Sequence, residues 1–138
     1  MLTDTKNPYD EVLTLSPASR TSNDQGVGVD LANAGGATIN IQVGTWTDGS
    51  HTFEVQESDD NSTFSAVAAA DLIGSEPVVD GATDDEQVYS IGYVGSKRYI
   101  RVAVTVTDAT SGAVYGATVR RGPMRKQPWT PWWNWLKT

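Results

Sequence analysis

Cysteine is absent from the chain, which excludes disulfides, thiolate metal sites and thiol nucleophiles together. That absence fits maturation in a reducing cytoplasm. Histidine is almost absent as well. His51 stands alone, and one imidazole without a thiolate does not supply the usual nitrogen and sulfur ligands of a zinc site. No apolar run approaches the ~20 residues that a membrane-spanning helix needs. The opening MLTDTKNPYDE has neither the basic start nor the apolar stretch of a secretory signal, so a soluble protein made in the cytoplasm is expected. Acid is missing after Asp108, and no convincing amphipathic helix is present.

What remains is a chain of 138 residues, an ordinary size for one domain, with 38% hydrophobic and 20% charged residues. The net charge of −7 is unevenly spread. All 17 acidic residues fall between Asp4 and Asp108, accompanied only by Lys6, Arg20, Lys97, Arg98 and Arg101, so residues 1–119 carry −12. Arg120, Arg121, Arg125, Lys126 and Lys137 give the remainder +5. A body this acidic repels nucleic acid, and no nucleic-acid partner is expected.

Residues 1–24 are polar, contain Pro8 and Pro17, and read as an N-terminal arm with one short strand within 9–15. Residues 25–121 then alternate with period two, as half-buried strands do. Val27, Val29 and Leu31 form one such run; Ile39, Ile41 and Val43 a second, ended by the turn signal Asp48-Gly49; Phe53 and Val55 a third. A short strand and a turn are expected over 64–73, with Phe64 in the core, followed by an exposed acidic loop over 75–86. The clearest pair covers 88–94 and 97–107, joined by a Gly95-Ser96 turn, and 113–120 supplies a last strand. Many short strands spaced by turns predict an all-β, antiparallel β-sandwich, jelly-roll-like or immunoglobulin-like. Residues 122–138 form a Trp- and Pro-rich basic tail.

No reactive constellation emerges. His51 could pair with Asp48 and a serine as a general base, but a position just after a hairpin turn is usually exposed, and no nucleophile elbow is present. The runs Asp59-Asp60-Asn61 and Asp84-Asp85-Glu86 lack the spaced ligands of a calcium loop and suit turn backbones instead. Glu54 and Gln56 share one strand face and Glu57 takes the other, which is a solvated sheet rather than a pair of catalytic carboxylates. No catalytic residue, metal ligand or cofactor is therefore expected.

The tail is different. Trp129, Trp132, Trp133 and Trp135 lie within seven residues. Each indole buries about 150–250 Å², worth roughly 4–6 kcal/mol gross. Three covers are open to them: their own sandwich, a partner protein or symmetry mate, or a membrane interface. A partner is favoured, with the four tryptophans as anchors and Arg121, Arg125 and Lys126 as electrostatic guides. The membrane is disfavoured by the acidic body. Pro128 and Pro131 keep this stretch extended, as a strap would be.

Two stretches resemble small structural proteins of tailed bacteriophages. They are FEVQESDDNSTF, 53–64, with the following Val67, Leu72, Ile73 and Gly74, and IGYVGSKRYIRV, 91–102. The resemblance spans roughly residues 25–121. It implies a virion protein, most compatibly a capsid decoration (cement) protein on the shell exterior, bound to the major capsid protein or another virion protein. Terminal arms would reach across neighbouring subunits, and a homo-oligomer, such as a trimer at local three-fold positions, would suit that role. The strand, Ser-Asp-Asp turn and aromatic also resemble carbohydrate-binding β-sandwiches. That alternative, a sugar- or receptor-contacting module of a head fibre or tail, would use Trp46, His51 and the loop 59–61.

Overall fold

The period-two alternation becomes two antiparallel sheets whose apolar faces meet. The computed structural model describes residues 1–124. In chain order the strands are β1 (Asp10–Arg20), β2 (Asp24–Gln25), β3 (Val29–Asp30), β4 (Ala37–Trp46), β5 (Ser50–Ser58) and β6 (Ser65–Ala66), then β7 (Leu72–Ile73), β8 (Val78–Val79), β9 (Val88–Tyr93), β10 (Tyr99–Thr107) and β11 (Ala113–Arg121). One sheet runs β1-β11-β4-β9-β7. The other runs β2-β10-β5-β6, with β3 also on β10 and β8 also on β5. The expected all-β antiparallel sandwich is thus the architecture of the described residues.

Inward positions carry the branched and aromatic residues that pack well on a pleated surface. Ile39, Ile41 and Val43 of β4, Ile91 and Tyr93 of β9, and Tyr115, Ala117 and Val119 of β11 face Phe53 and Val55 of β5 and Ile100, Val102 and Val104 of β10. All are essentially removed from water.

The connections are the main departure from expectation. β9 and β10 are not a hairpin: β9 pairs with β4 and β7, β10 with β5, β2 and β3. The segment 94–98 instead crosses from one sheet to the other. So do 47–49, between β4 and β5, and 108–112, between β10 and β11. Alternation fixes which side chains point inward, and that is equally satisfied by pairing in one sheet or by facing across the sandwich.

The segment read as an N-terminal arm contains β1, which pairs along β11. Its core character was hidden because register shifts between Leu13 and Leu15, and between Leu15 and Ala18, break the alternation, and Pro17 sits inside it. Leu15 is nonetheless buried, as is Arg20. The run 27–31 is also shorter than read: Val27 is 70% exposed, and its N–H and C=O bond to the Thr14 carbonyl and hydroxyl. Within 64–73, β6 and β7 flank a single 3₁₀ turn, Ala69–Asp71. Phe64 is not core; it lies half-buried under the Arg101 guanidinium, 4.0 Å from its ring centre. The loop 75–86 hides β8, whose Val79 is completely buried.

Candidate functional site

His51 shows how a corner between sheets changes a residue's fate. Because 47–49 crosses the sandwich instead of turning a hairpin, the first residues of β5 enter the interior, and His51 is completely buried, not exposed as its position suggested. Its Nε2 lies 3.0 Å from the Asp48 carbonyl and its Nδ1 2.9 Å from the Tyr115 hydroxyl. A carbonyl only accepts, so Nε2 carries the proton and Nδ1 accepts from Tyr115. Both nitrogens are therefore occupied by the fold. The Asp48 carboxylate accepts the backbone N–H groups of Thr110, Ser111 and Gly112. No serine joins this pair in a triad among the described contacts.

Trp46 is half-buried against the core and donates its indole N–H to the Gly49 carbonyl at 3.0 Å. It ends β4, bonded to Gly49 just before the start of β5 where His51 lies, whereas the loop 59–61 follows the far end of β5, about 26 Å from that start at ~3.3 Å per residue. The residues named for sugar binding are not brought together.

The acidic runs serve turns. Asp60 accepts from the N–H groups of Thr63 and Ser62 and from the Ser58 hydroxyl, which holds its carboxyl below the usual range. Asp84 accepts from the Tyr89 hydroxyl and the Asp80 N–H, and Asp85 from the Trp46 N–H. Among the described residues no group of three or more His, Cys, Asp or Glu side chains is arranged to hold a metal ion. Glu54, Gln56 and Arg101 link side by side on the outer face of β5 and β10, while Glu57 accepts the Tyr93 hydroxyl at 2.8 Å. Burial, with the Glu57 carboxylate adding to it, pushes that phenol up to about 12.

The two ends of the described chain meet. Gly122 donates to the Gly36 carbonyl, Gly35 to the Pro123 carbonyl, and Met124 to the Pro8 carbonyl at 2.9 Å. Ala34 and Met124 form an antiparallel bridge. Residues 122–124 are thus fastened on both sides. Beside them an open depression of about 610 Å³ is lined by Leu31, Ala34, Gly35, Tyr93, Val94 and Lys97, among others.

Arg121, expected to guide a partner, is already engaged. Its Nη2 meets Asp10 Oδ2 at 2.8 Å and its Nη1 donates to the Asp30 carbonyl. Arg98 grips the Asp30 carboxylate with two 2.9 Å bonds. That guanidinium first, then the Ala32 N–H, lowers Asp30 to about 2. A depressed carboxylate stabilises the fold above its unfolded pKa near 3.8 and loses that contribution as pH falls toward 2. Asp24, Asp48 and Asp60 act in the same direction. Melting temperature is expected to fall between pH 4 and 2, and Asp30→Asn to shallow that fall while lowering the pH 7 melting point by about 2 °C, since both partners are partly exposed. An unchanged acid profile would show that Asp30 contributes nothing. The remaining anticipated partner residues, Arg125, Lys126, Trp129, Trp132, Trp133 and Trp135, lie outside the described residues.

Sequence reading overlooked Asp10 and Asp30 as the partners of Arg121, although a chain with 17 acids and ten bases leaves few cations unpaired. It also overlooked Arg20, whose side chain is closed in by Asp24 and the carbonyls of Ser16, Ala18 and Tyr115. No local pattern marks such contacts. No protein-family model matches the chain, and no curated protein matches it in sequence.

Proposed function

We propose that this chain is a non-enzymatic structural protein of a tailed-phage virion, a capsid decoration protein that binds the outer shell and bridges its subunits. The observation that carries this reading is four tryptophans beside basic residues in the segment that follows residues 122–124, which are themselves fastened to an acidic sandwich. Indoles are the residues that most often anchor an interface, and flanking cations steer encounter with an acidic surface. Residues 5–9 lie beside Arg120 and Met124, which supports a reading in which the N-terminal segment and the tail act on one neighbouring surface. The sole histidine, held by Tyr115 and Asp48, supports a role without catalysis. Trp46, with its indole N–H bonded inside the fold, lends no support to sugar binding.

Deleting residues 127–138 is expected to reduce attachment to capsids purified from the phage that encodes the chain by about a hundredfold or more, as losing several interface anchors does. The body should melt as before, because both sheets lie within 1–124. Undiminished attachment would remove the tail from the mechanism.

A further inference from the structure

The five-stranded sheet has two edges, and they are treated differently. At β1 the edge is closed. The Thr14 carbonyl receives the Val27 N–H, the Ser16 and Ala18 carbonyls receive the Arg20 guanidinium, and Pro17 has no N–H to offer. Two register shifts and the charges of Asp10, Glu11 and Arg20 further spoil it for pairing. These are the usual devices by which natural sheets protect an edge.

At β9 none of them is present. The Val43 N–H bonds the Gln87 carbonyl, and the β4 register continues without a shift, so Gln87, Tyr89, Ile91 and Tyr93 turn their backbone groups toward β4. Val88, Ser90 and Gly92 turn theirs outward. Only Gly92 is met, by Ile73 of β7. The partner strand then ends at Ile73: Gly74, at φ +97, still lies beside the Ser90 carbonyl but makes no backbone hydrogen bond to it. Among the described residues the N–H and C=O groups of Val88 and Ser90 have no backbone partner. The strip lacks proline and lysine, and it carries Val88, 66% exposed, beside Ile73 of β7, 65% exposed.

The surroundings specify a charge. The adjoining loop, residues 75–87, carries Glu76, Asp80, Asp84, Asp85 and Glu86 and no lysine or arginine. We infer that the outer edge of β9 is a strand-addition site for an extended, basic segment of a partner protein, which pairs with Val88 and Ser90 while its cations face the acidic loop. Main-chain bonds supply affinity in this mode, and flanking charge selects the partner. The inference is independent of the tail and of the virion reading.

The test uses the full chain and a fluorescein-labelled hexapeptide of alternating valine and threonine between two lysines, read by anisotropy at ~20 mM salt. The peptide is expected to bind, and the same peptide with glutamates in place of lysines to bind about tenfold more weakly. Ser90→Pro removes one outward N–H, leaves the backbone bonds to β4 in place and loses the exposed Ser90 Oγ bond to Asn40 Oδ1; it should weaken binding about tenfold while the melting point moves by only a few degrees. The double variant Asp80→Lys/Glu86→Lys leaves every strand bond in place and should erase the preference for lysine over glutamate. The inference is overturned if nothing binds at ~1 mM peptide, if both peptides bind alike, or if neither variant alters binding. Concentration-dependent dimerisation that Ser90→Pro abolishes would also overturn it, by making a second copy the occupant.

Discussion

Tyr115→Ala is expected to destabilise the fold by about 4 kcal/mol, a drop of roughly 15 °C in melting temperature. The ring is 1% exposed and makes edge-on contacts with Phe53, at 4.9 Å between centres, and with His51, at 5.3 Å. The Arg20 guanidinium stands 5.3 Å above its centre. Truncation therefore opens a cavity where both sheets meet and strips one face from a buried cation. Tyr115→Phe keeps the ring and removes only the hydroxyl, leaving His51 Nδ1 without its donor, and should cost about 1–2 kcal/mol. Urea unfolding of the two variants separates packing from hydrogen bonding. Equal losses would mean that the hydroxyl, not the ring, holds this part of the core. The same residue carries an alkaline signature. Burial pushes the Tyr115 phenol up to about 12, so the unfolded chain releases its proton near pH 10 while the folded one keeps it. Stability should decline from pH 10 toward 12, and less steeply in Tyr115→Phe. Tyr93 contributes in the same direction.

Gly112→Ala is the second large effect, expected at about 3 kcal/mol. Gly112 has φ +76, and a Cβ there would stand 1.8 Å from the Arg20 carbonyl oxygen, a backbone atom with nowhere to retreat. The residue also ties two crossings together. Its N–H donates to Asp48 at 2.7 Å, and its carbonyl accepts the N–H groups of Thr47 and Asp48. The β4–β5 and β10–β11 connections thus depend on one another through a single residue without a side chain. Gly81→Ala is the control: φ there is extended and the nearest atom to the added methyl is 4.0 Å away, so its melting point should move little. If Gly112→Ala melts like Gly81→Ala, the corner is more pliable than its contacts indicate.

Legibility differed by element. The runs 39–43, 53–55 and 100–106 were readable because each keeps strict alternation, and their inward residues, apart from the half-buried Val106, are the buried core. β1 was not, since bulges shift its register and a proline interrupts it, while its pairing partner, β11, lies about a hundred residues further along the chain. The fate of Phe64 was misjudged because an aromatic flanked by polar residues looks the same whether it faces the interior or carries an arginine. The candidate site was partly legible. Clustered tryptophans and the separation of charge are properties of the chain itself, whereas the closure of Arg121 by Asp10 and Asp30 joins residues from three separated segments.

By itself the sequence determined the class of fold, the sign of the body's charge and the direction in which each regular strand turns its apolar face. Those follow from residue identity and from the two-residue period of an extended chain, which need no partner to be expressed. Which sheet each strand joins was decided only by the tertiary structure, and with it the burial of His51, the pairing of Arg20 and Arg121, and the contrast between a closed and an open edge. Such outcomes depend on how connections cross between the layers, and a chain that alternates correctly satisfies either crossing until the whole sandwich is assembled.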